Sequence, residues 1–205
     1  MDVKERIREK AKELFFRYGF KSVTMDEIAS QLGMSKKTLY QYYGDKDMLV
    51  DEIMDGEMEC MRADYHEMKA AAENAIDECL RDLESMEAVM NTMNPIVVFD
   101  LEKFYPKTFA KFKKHKNTFW LEEIRSNIER GRSEELYRTD FDVEIIARFR
   151  IDAAFIMFNQ EMFPYPKYNL MQVGKEIYLH FLNGIVTTKG KKILDKYIAK
   201  RIQHH

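Results

Sequence analysis

Proline is scarce in this chain, with four among 205 residues, and glycine contributes only eight. So few chain breakers argue against a fold of many short strands and tight turns and favour long helices. Cysteine is limited to Cys60 and Cys79, both inside helical patterns. That excludes a disulfide scaffold and suits two reduced thiols in a reducing compartment. No apolar run approaches the roughly 18–20 residues of a membrane span. The opening MDVKERIREKAKEL alternates in charge and lacks the apolar core of a signal peptide. These absences predict a cytoplasmic protein with no membrane partner. Catalytic signatures are missing too: there is no Gly-rich phosphate loop, no H-E-x-x-H and no nucleophile elbow. His66, His115 and His180 lack metal-ligand spacing. The sequence therefore predicts no enzyme, no metal and no cofactor.

What the chain does contain is 45% hydrophobic and 33% charged residues, a balance that supports a folded core rather than disorder. Net charge is −2 and unevenly spread. Residues 1–50 carry ten Lys/Arg against eight Asp/Glu, whereas residues 51–95 carry thirteen acids against Arg62, Lys69 and Arg81. A mildly basic head on an acidic neck would orient the molecule head first on a polyanion, although solvated helix faces of differing sign account for the same counts.

Apolar residues recur at three-and-four spacing almost throughout, so the fold class is all-α. A first helix is expected over Asp2–Tyr18, closed by Gly19 as a left-handed cap. Thr24-Met25-Asp26-Glu27 reads as a capping box opening a second helix, about Met25–Leu32. Gly33 permits a sharp turn, and Ser35 caps a third helix, about Lys36–Tyr42. Two helices of about eight residues joined through glycine are the helix-turn-helix signature. A long strut over Lys46–Ala70 follows, then helices over Asn74–Met93, Ile96–Glu102 and Pro106–Arg130, the last ended by Gly131. A helix apolar on nearly every face is expected over Ile145–Phe163, then Leu170–Thr187 and a short basic Lys191–Lys200.

The third predicted helix carries the sharpest chemical signal. Lys36 and Lys37 occupy its first turn, where the helix dipole is already positive, at a cost of roughly 0.3–1 kcal/mol each relative to anions. An external anion would complete such a site, and duplex phosphates or guanine edges supply one. Thr38, Tyr40 and Gln41 follow on the exposed side, while Leu39 and Tyr43 pack back. Tyr42 can do either. Lys46, opening the next helix, could grip a further phosphate.

The stretch TMDEIASQLGMSKKTLYQYYGDKDML resembles the DNA-binding head of the TetR family of transcriptional regulators. The resemblance covers about Val3–Ile53 and includes Leu14-Phe15-Phe16-Arg17-Tyr18-Gly19-Phe20, Ile28-Ala29, Gly33-Met34-Ser35 and Thr38-Leu39-Tyr40. Tyr43 departs from the commoner Phe. The resemblance implies a DNA-binding domain over 1–46 and a larger helical ligand-binding and dimerisation domain over 47–205. It implies that Ser35, Lys36, Lys37, Thr38, Tyr40 and Tyr42 meet the major groove and its phosphates, with Thr24 and Lys46 on the flanking backbone.

It further implies a homodimer on a palindromic double-stranded DNA operator, acting as a repressor released by a small apolar or aromatic effector. The apolar helix and the Leu170–Val186 stripe suit a four-helix pairing surface. Its expected contacts are Ala153, Ala154, Met157, Gly174, Ile177, Phe181, Gly184 and Ile185, although burial in a monomeric core fits the same pattern. An effector pocket is expected among Met90, Met93, Phe99, Phe104, Phe119, Trp120, Phe155 and Phe158, with His115, Asn159 and Tyr178 as polar anchors. Ordinary core is the alternative reading of those residues.

Overall fold

Helix capping sets the N-terminal architecture of the computed structural model, which describes residues 2–164 and 166–202. Helix α1 (Val3–Tyr18) starts on Asp2, whose carboxylate accepts the Val3 amide at 2.7 Å. α2 (Met25–Gln31), α3 (Lys36–Tyr42) and α4 (Lys46–Ala71) follow, then α5 (Ala75–Thr92), α6 (Ile96–Phe104) and α7 (Pro106–His115). A π-helical turn (Lys116–Trp120) leads into α8 (Leu121–Ser133), and α9 (Val143–Ile156), α10 (Leu170–Ile185) and α11 (Thr188–Ile202) complete the order. The fold is all-α: among the described residues the only extended pairing is one isolated bridge between Tyr137 and Val186. None of these helices is long and apolar enough to cross a membrane.

The chain divides into two compact units: residues 1–62 with 89–115, and residues 63–88 with 116–205. The first unit is larger than a head ending at residue 46, because α6 and α7 fold with it. Its core gathers Ile7, Leu14, Phe15, Phe20, Ile28, Leu39, Tyr43, Leu49, Ile53, Val97 and Leu101. Phe15, Phe20, Ile28 and Leu39 are wholly buried, each contributing about 1.5–3 kcal/mol of apolar burial. Lys111 of α7 reaches both Asp51 and Asp55 of α4 at 2.7 Å, and Thr108 donates to Asp51 at 2.9 Å.

In the second unit, one cluster runs from Ile76 and Leu80 to Tyr178, Phe181, Leu182 and Leu194, and a smaller one joins Leu121, Ile128, Ala147 and Ile151. Polar groups thread this core. Buried Glu78 accepts from Tyr65 and Arg130, each at 3.0 Å, and Asn127 and Tyr137 donate to the Ala75 carbonyl at 3.0 Å. Burial pushes the Cys79 thiol up to about 11, so it stays protonated at neutral pH.

Three expectations change here. Gly131 does not end its helix; α8 continues to Ser133, and the glycine is required by packing. A Cβ there would lie 2.0 Å from Cδ2 of Tyr137. The helix expected over Ile145–Phe163 stops at Ile156, before the turns that precede Pro164. It is also not covered all round, since Ile145 and Phe149 are 66% and 56% exposed. Finally, Gly19 has a positive φ of 90° but a ψ of 153°, outside the left-handed helical region.

Gly131→Ala should lower the unfolding free energy by about 1–3 kcal/mol through overpacking against Tyr137. Gly56→Ala, where a Cβ meets nothing within 4 Å, should raise it by roughly 0.5–1 kcal/mol. Equilibrium urea denaturation of the two variants checks the pair, and a neutral Gly131→Ala would contradict the packing role.

Candidate nucleic-acid interface

Local sequence builds the α2–turn–α3 motif. The Thr24 hydroxyl accepts the Glu27 amide at 3.1 Å and so caps α2. At the other end Gly33 adopts φ +65°. The Met34 amide reaches the Ala29 carbonyl at 3.0 Å and the Gly33 amide reaches Ser30 at 3.1 Å, the paired bonds of a glycine-closed helix end. Ser35 then accepts the Thr38 amide at 3.1 Å and opens α3, whose bounds match those expected. Each cap contributes about 1 kcal/mol and together they fix the angle between the two helices.

Burial sorts the residues of α3. Leu39 is wholly buried and Tyr43 is 1% exposed, so both pack back as expected. The Tyr43 hydroxyl donates to Glu52 at 3.1 Å, which gives the tyrosine a use that phenylalanine would lack. Burial, followed by Glu52, raises its pKa, so it remains a donor. Facing outward are Lys37, Gln41, Tyr40 and Tyr42, the tyrosines 47% and 40% exposed. An exposed cation beside two exposed rings with free edges is a surface that can meet phosphates and base edges.

The remaining expected contacts are partly engaged within the protein. Lys36 pairs with Asp26, in the first turn of α2, so its charge is met internally. Among the described residues Lys37 has no such partner. Thr38 is half-buried and its hydroxyl lies 2.8 Å from that of Ser35. Lys46 turns inward: its ammonium donates to the Phe20 carbonyl and sits 5.5 Å from the Phe15 ring centroid. Burial lowers its pKa, with Asp100 and Asp47 opposing. A phosphate contact from Lys46 would require that side chain to swing out. Sequence reasoning missed both internal partners because each comes from a different element.

The residues expected to form an effector pocket do not all belong to one unit. Met90, Met93, Phe99, Phe104 and His115 belong to the first. There Met93 packs on the head's core, while Phe99 and Phe104 are 50% and 36% exposed. The buried face of α6 is Val97 and Leu101, which turns both phenylalanines outward. His115 is buried, which lowers its pKa. In the second unit Phe119 and Trp120 form an aromatic cluster with Tyr65, the ring centroids 5.2–5.9 Å apart. Phe155 packs on Phe158 at 6.2 Å.

Asn159 is exposed and closes a turn by accepting the Glu161 and Met162 amides at 2.9 and 3.0 Å; it is not a pocket anchor in this conformation. Tyr178 is buried and donates to Asp82 at 2.9 Å, with the Arg150 guanidinium 3.8 Å above its ring. Two open depressions lie elsewhere in this unit. One, of about 380 Å³, is lined by Asp64, Glu67, Met68, Ala71, Arg81 and Glu84, and the other, of about 220 Å³, by Glu73, Asp77, Arg81, Tyr197, Lys200 and Arg201.

Of the expected pairing residues, Ala153, Met157, Gly174, Phe181 and Ile185 are already buried inside the chain and have little surface to offer a partner. Met157 rests against Gly174, where a Cβ would lie 2.8 Å from its sulfur. Ala154 and Ile177 are half-buried, and Gly184 is exposed.

Comparison with known proteins bears on this geometry. Residues 7–53 match the model of the bacterial regulatory proteins, tetR family. The transcriptional repressor KstR2 of Mycobacterium tuberculosis is 25% identical over 190 residues, covering 89% of this chain and 92% of that one. The transcriptional regulator YvaF of Bacillus subtilis is 32% identical over 104 residues, 49% of this chain and 53% of its own. Among solved structures, a transcriptional regulator from Cytophaga hutchinsonii superposes with a TM-score of 0.71 at 20% identity, covering 89% of this chain and 98% of that one. The ketosteroid transcriptional regulator KstR2 of M. tuberculosis gives 0.62 at 20% identity, over 91% and 96%. These likenesses show a shared fold across nearly the whole chain.

Proposed function

The chain belongs to the tetR family of bacterial regulatory proteins, and from that premise we propose that it is a homodimeric repressor that binds a palindromic operator through α3. The carrying observation is the exposed surface of Lys37, Tyr40, Gln41 and Tyr42 on a helix whose caps and buried face are set by the helix-turn-helix. Lys37 supplies charge for the phosphate backbone, and the tyrosines supply planar apolar surface with a hydroxyl for phosphate or base edges. Lys36 joins them by exchanging Asp26 for a phosphate. One seven-residue helix offers few contacts, and a two-fold pair placing two such helices ~34–36 Å apart doubles them.

Pairing of two copies is supported by α9, which presents Ile145 and Phe149 one turn apart and largely solvated, beside Arg148. Large exposed apolar side chains at helical spacing call for a cover, and a second copy supplies an identical one. Release of the operator by a small apolar or aromatic effector is the finer part of the proposal. Its support is the Tyr65–Phe119–Trp120 cluster at the π-helical turn, a distortion common at functional sites. Helix α4 contains residues of both units, which offers a covalent route for an effector to bias the head. Such a ligand acts only by as much as it prefers the DNA-free state.

Lys37→Ala and Tyr40→Ala should each weaken operator binding by about tenfold or more, a direct contact being worth roughly 1–3 kcal/mol, while thermal stability stays within about a degree or two of the parent. Fluorescence anisotropy with labelled duplex reads the affinity; unchanged affinity in both variants would remove α3 from the interface. Ile145→Glu combined with Phe149→Glu should convert the dimer to a folded monomer by light scattering. Persistence of the dimer would place its interface away from this face of α9.

A further inference from the structure

Helix α6 and the turn after α1 build a second cationic corner on the first unit, from residues that the recognition helix does not use. Two ammonium groups approach the exposed ring of Phe104: Lys21 Nζ lies 5.0 Å and Lys103 Nζ 5.6 Å from its centroid. Lys103 also lies 5.2 Å from the centroid of Phe99, which is half-exposed. Lys107, the second residue of α7, is exposed nearby in sequence. Among the described residues none of these three lysines has a carboxylate within ion-pair distance. Other lysines of the same unit do: Lys4 with Glu52, Lys12 with Glu57, Lys36 with Asp26, and Lys111 with Asp51 and Asp55.

The corner has rigid backing. Asp100, 3% exposed, accepts the Lys21 amide at 2.8 Å, and the Asn94 amide donates to the Phe16 carbonyl at 2.8 Å. Tyr105 meets Phe20 edge-on at 5.7 Å. A side chain at Gly19 would collide with Asp100 and Ile96, at 2.8 and 2.9 Å, so α6 lies directly against the turn. Lys21 follows Phe20, whose carbonyl holds the ammonium of Lys46 at the start of α4. Lys21 and Lys103 thus lie on the same unit that carries α3, with Lys21 three residues before the Thr24 cap of α2.

Like charges gathered around one ring with no carboxylate within ion-pair distance repel, and an external polyanion relieves that repulsion. Ammonium groups act as point charges rather than as directional forks, which suits contact with a backbone and not the reading of bases. Duplex phosphates reach this unit whenever α3 docks, so no further partner need be recruited. We infer that Lys21 and Lys103 form a second, sequence-independent grip on the DNA backbone flanking each half-site, resting on the operator-binding reading above.

The test uses the full-length protein and two operator duplexes, one ending at the edges of the inverted repeat and one extended at both ends. Affinity is measured against salt concentration for the parent, for Lys21→Ala/Lys103→Ala, for the matching glutamine pair, and for Lys175→Ala in α10 as a control. Each lost phosphate contact should reduce the slope of log affinity against log salt by about 0.9. On the extended duplex both double variants should therefore show a slope shallower by roughly 2 per head, and binding about tenfold or more weaker near physiological salt. On the short duplex they should match the parent, and the control should match it on both. Coincident slopes on the extended duplex would overturn the inference, as would an equal loss on the two duplexes. Variant-sensitive binding to a polyglutamate peptide or to phosphatidylserine vesicles, with DNA slopes unchanged, would also overturn it by assigning the corner another partner. Failure of the parent to bind any duplex would instead remove the operator-binding reading itself.

Discussion

A buried carboxylate ties α6 of the first unit to the turn between α1 and α2. Asp100 sits almost wholly out of solvent and spends its charge on the Lys21 amide, at the turn between α1 and α2. A buried carboxylate left without such a donor would be strongly destabilising, so the contact adds to the apolar packing of Val97 and Leu101 in holding α6 against the turn. Gly19 makes the approach possible, since any side chain there would strike Asp100 and Ile96. Asn94 adds bonds to the Phe16 and Arg17 carbonyls at the end of α1. The helix-turn-helix is thereby part of a larger body in which segments about eighty residues apart in sequence, the α1–α2 turn and α6, share one core.

That body explains how charge is distributed on the head. Acids of α2 and α4 are matched with lysines of α1, α3 and α7, so part of the positive charge on this unit is neutralised within it. What remains outward on α3 is Lys37 with its flanking tyrosines, and what remains at the α6 corner is Lys21 with Lys103. A modest net charge on the head thus coexists with lysines that have no ion-pair partner among the described residues. This is why composition alone spoke weakly for nucleic acid while residue placement speaks strongly.

Helix α3 was legible in the sequence because its determinants are local. Thr24, Gly33 and Ser35 act within three or four residues of themselves, and the bounds of α3 emerge as expected. Long-range partners were not legible. Asp26 lies ten residues from Lys36 on another helix, and the Phe20 carbonyl lies twenty-six residues from Lys46. Gly131 read as a stop because glycine usually is one; only the ring of Tyr137, folding back from beyond the helix, shows that its role is space. The apolar stretch from Ile145 concealed the turn at Met157, since periodicity cannot separate the end of a helix from an apolar loop. Phe99 and Phe104 looked like pocket residues because aromatic content carries no direction; the buried pair Val97 and Leu101 supplies it.

Operator recognition by paired copies of α3 is the claim on which the account stands. Selection of bound duplexes from a random-sequence library, using the purified full-length protein, tests it most directly. The account predicts enrichment of one inverted repeat whose half-site centres lie about one helical turn, or a whole number of turns, apart. Recovery of sequences with no common motif, or of a single unrepeated site, would contradict it.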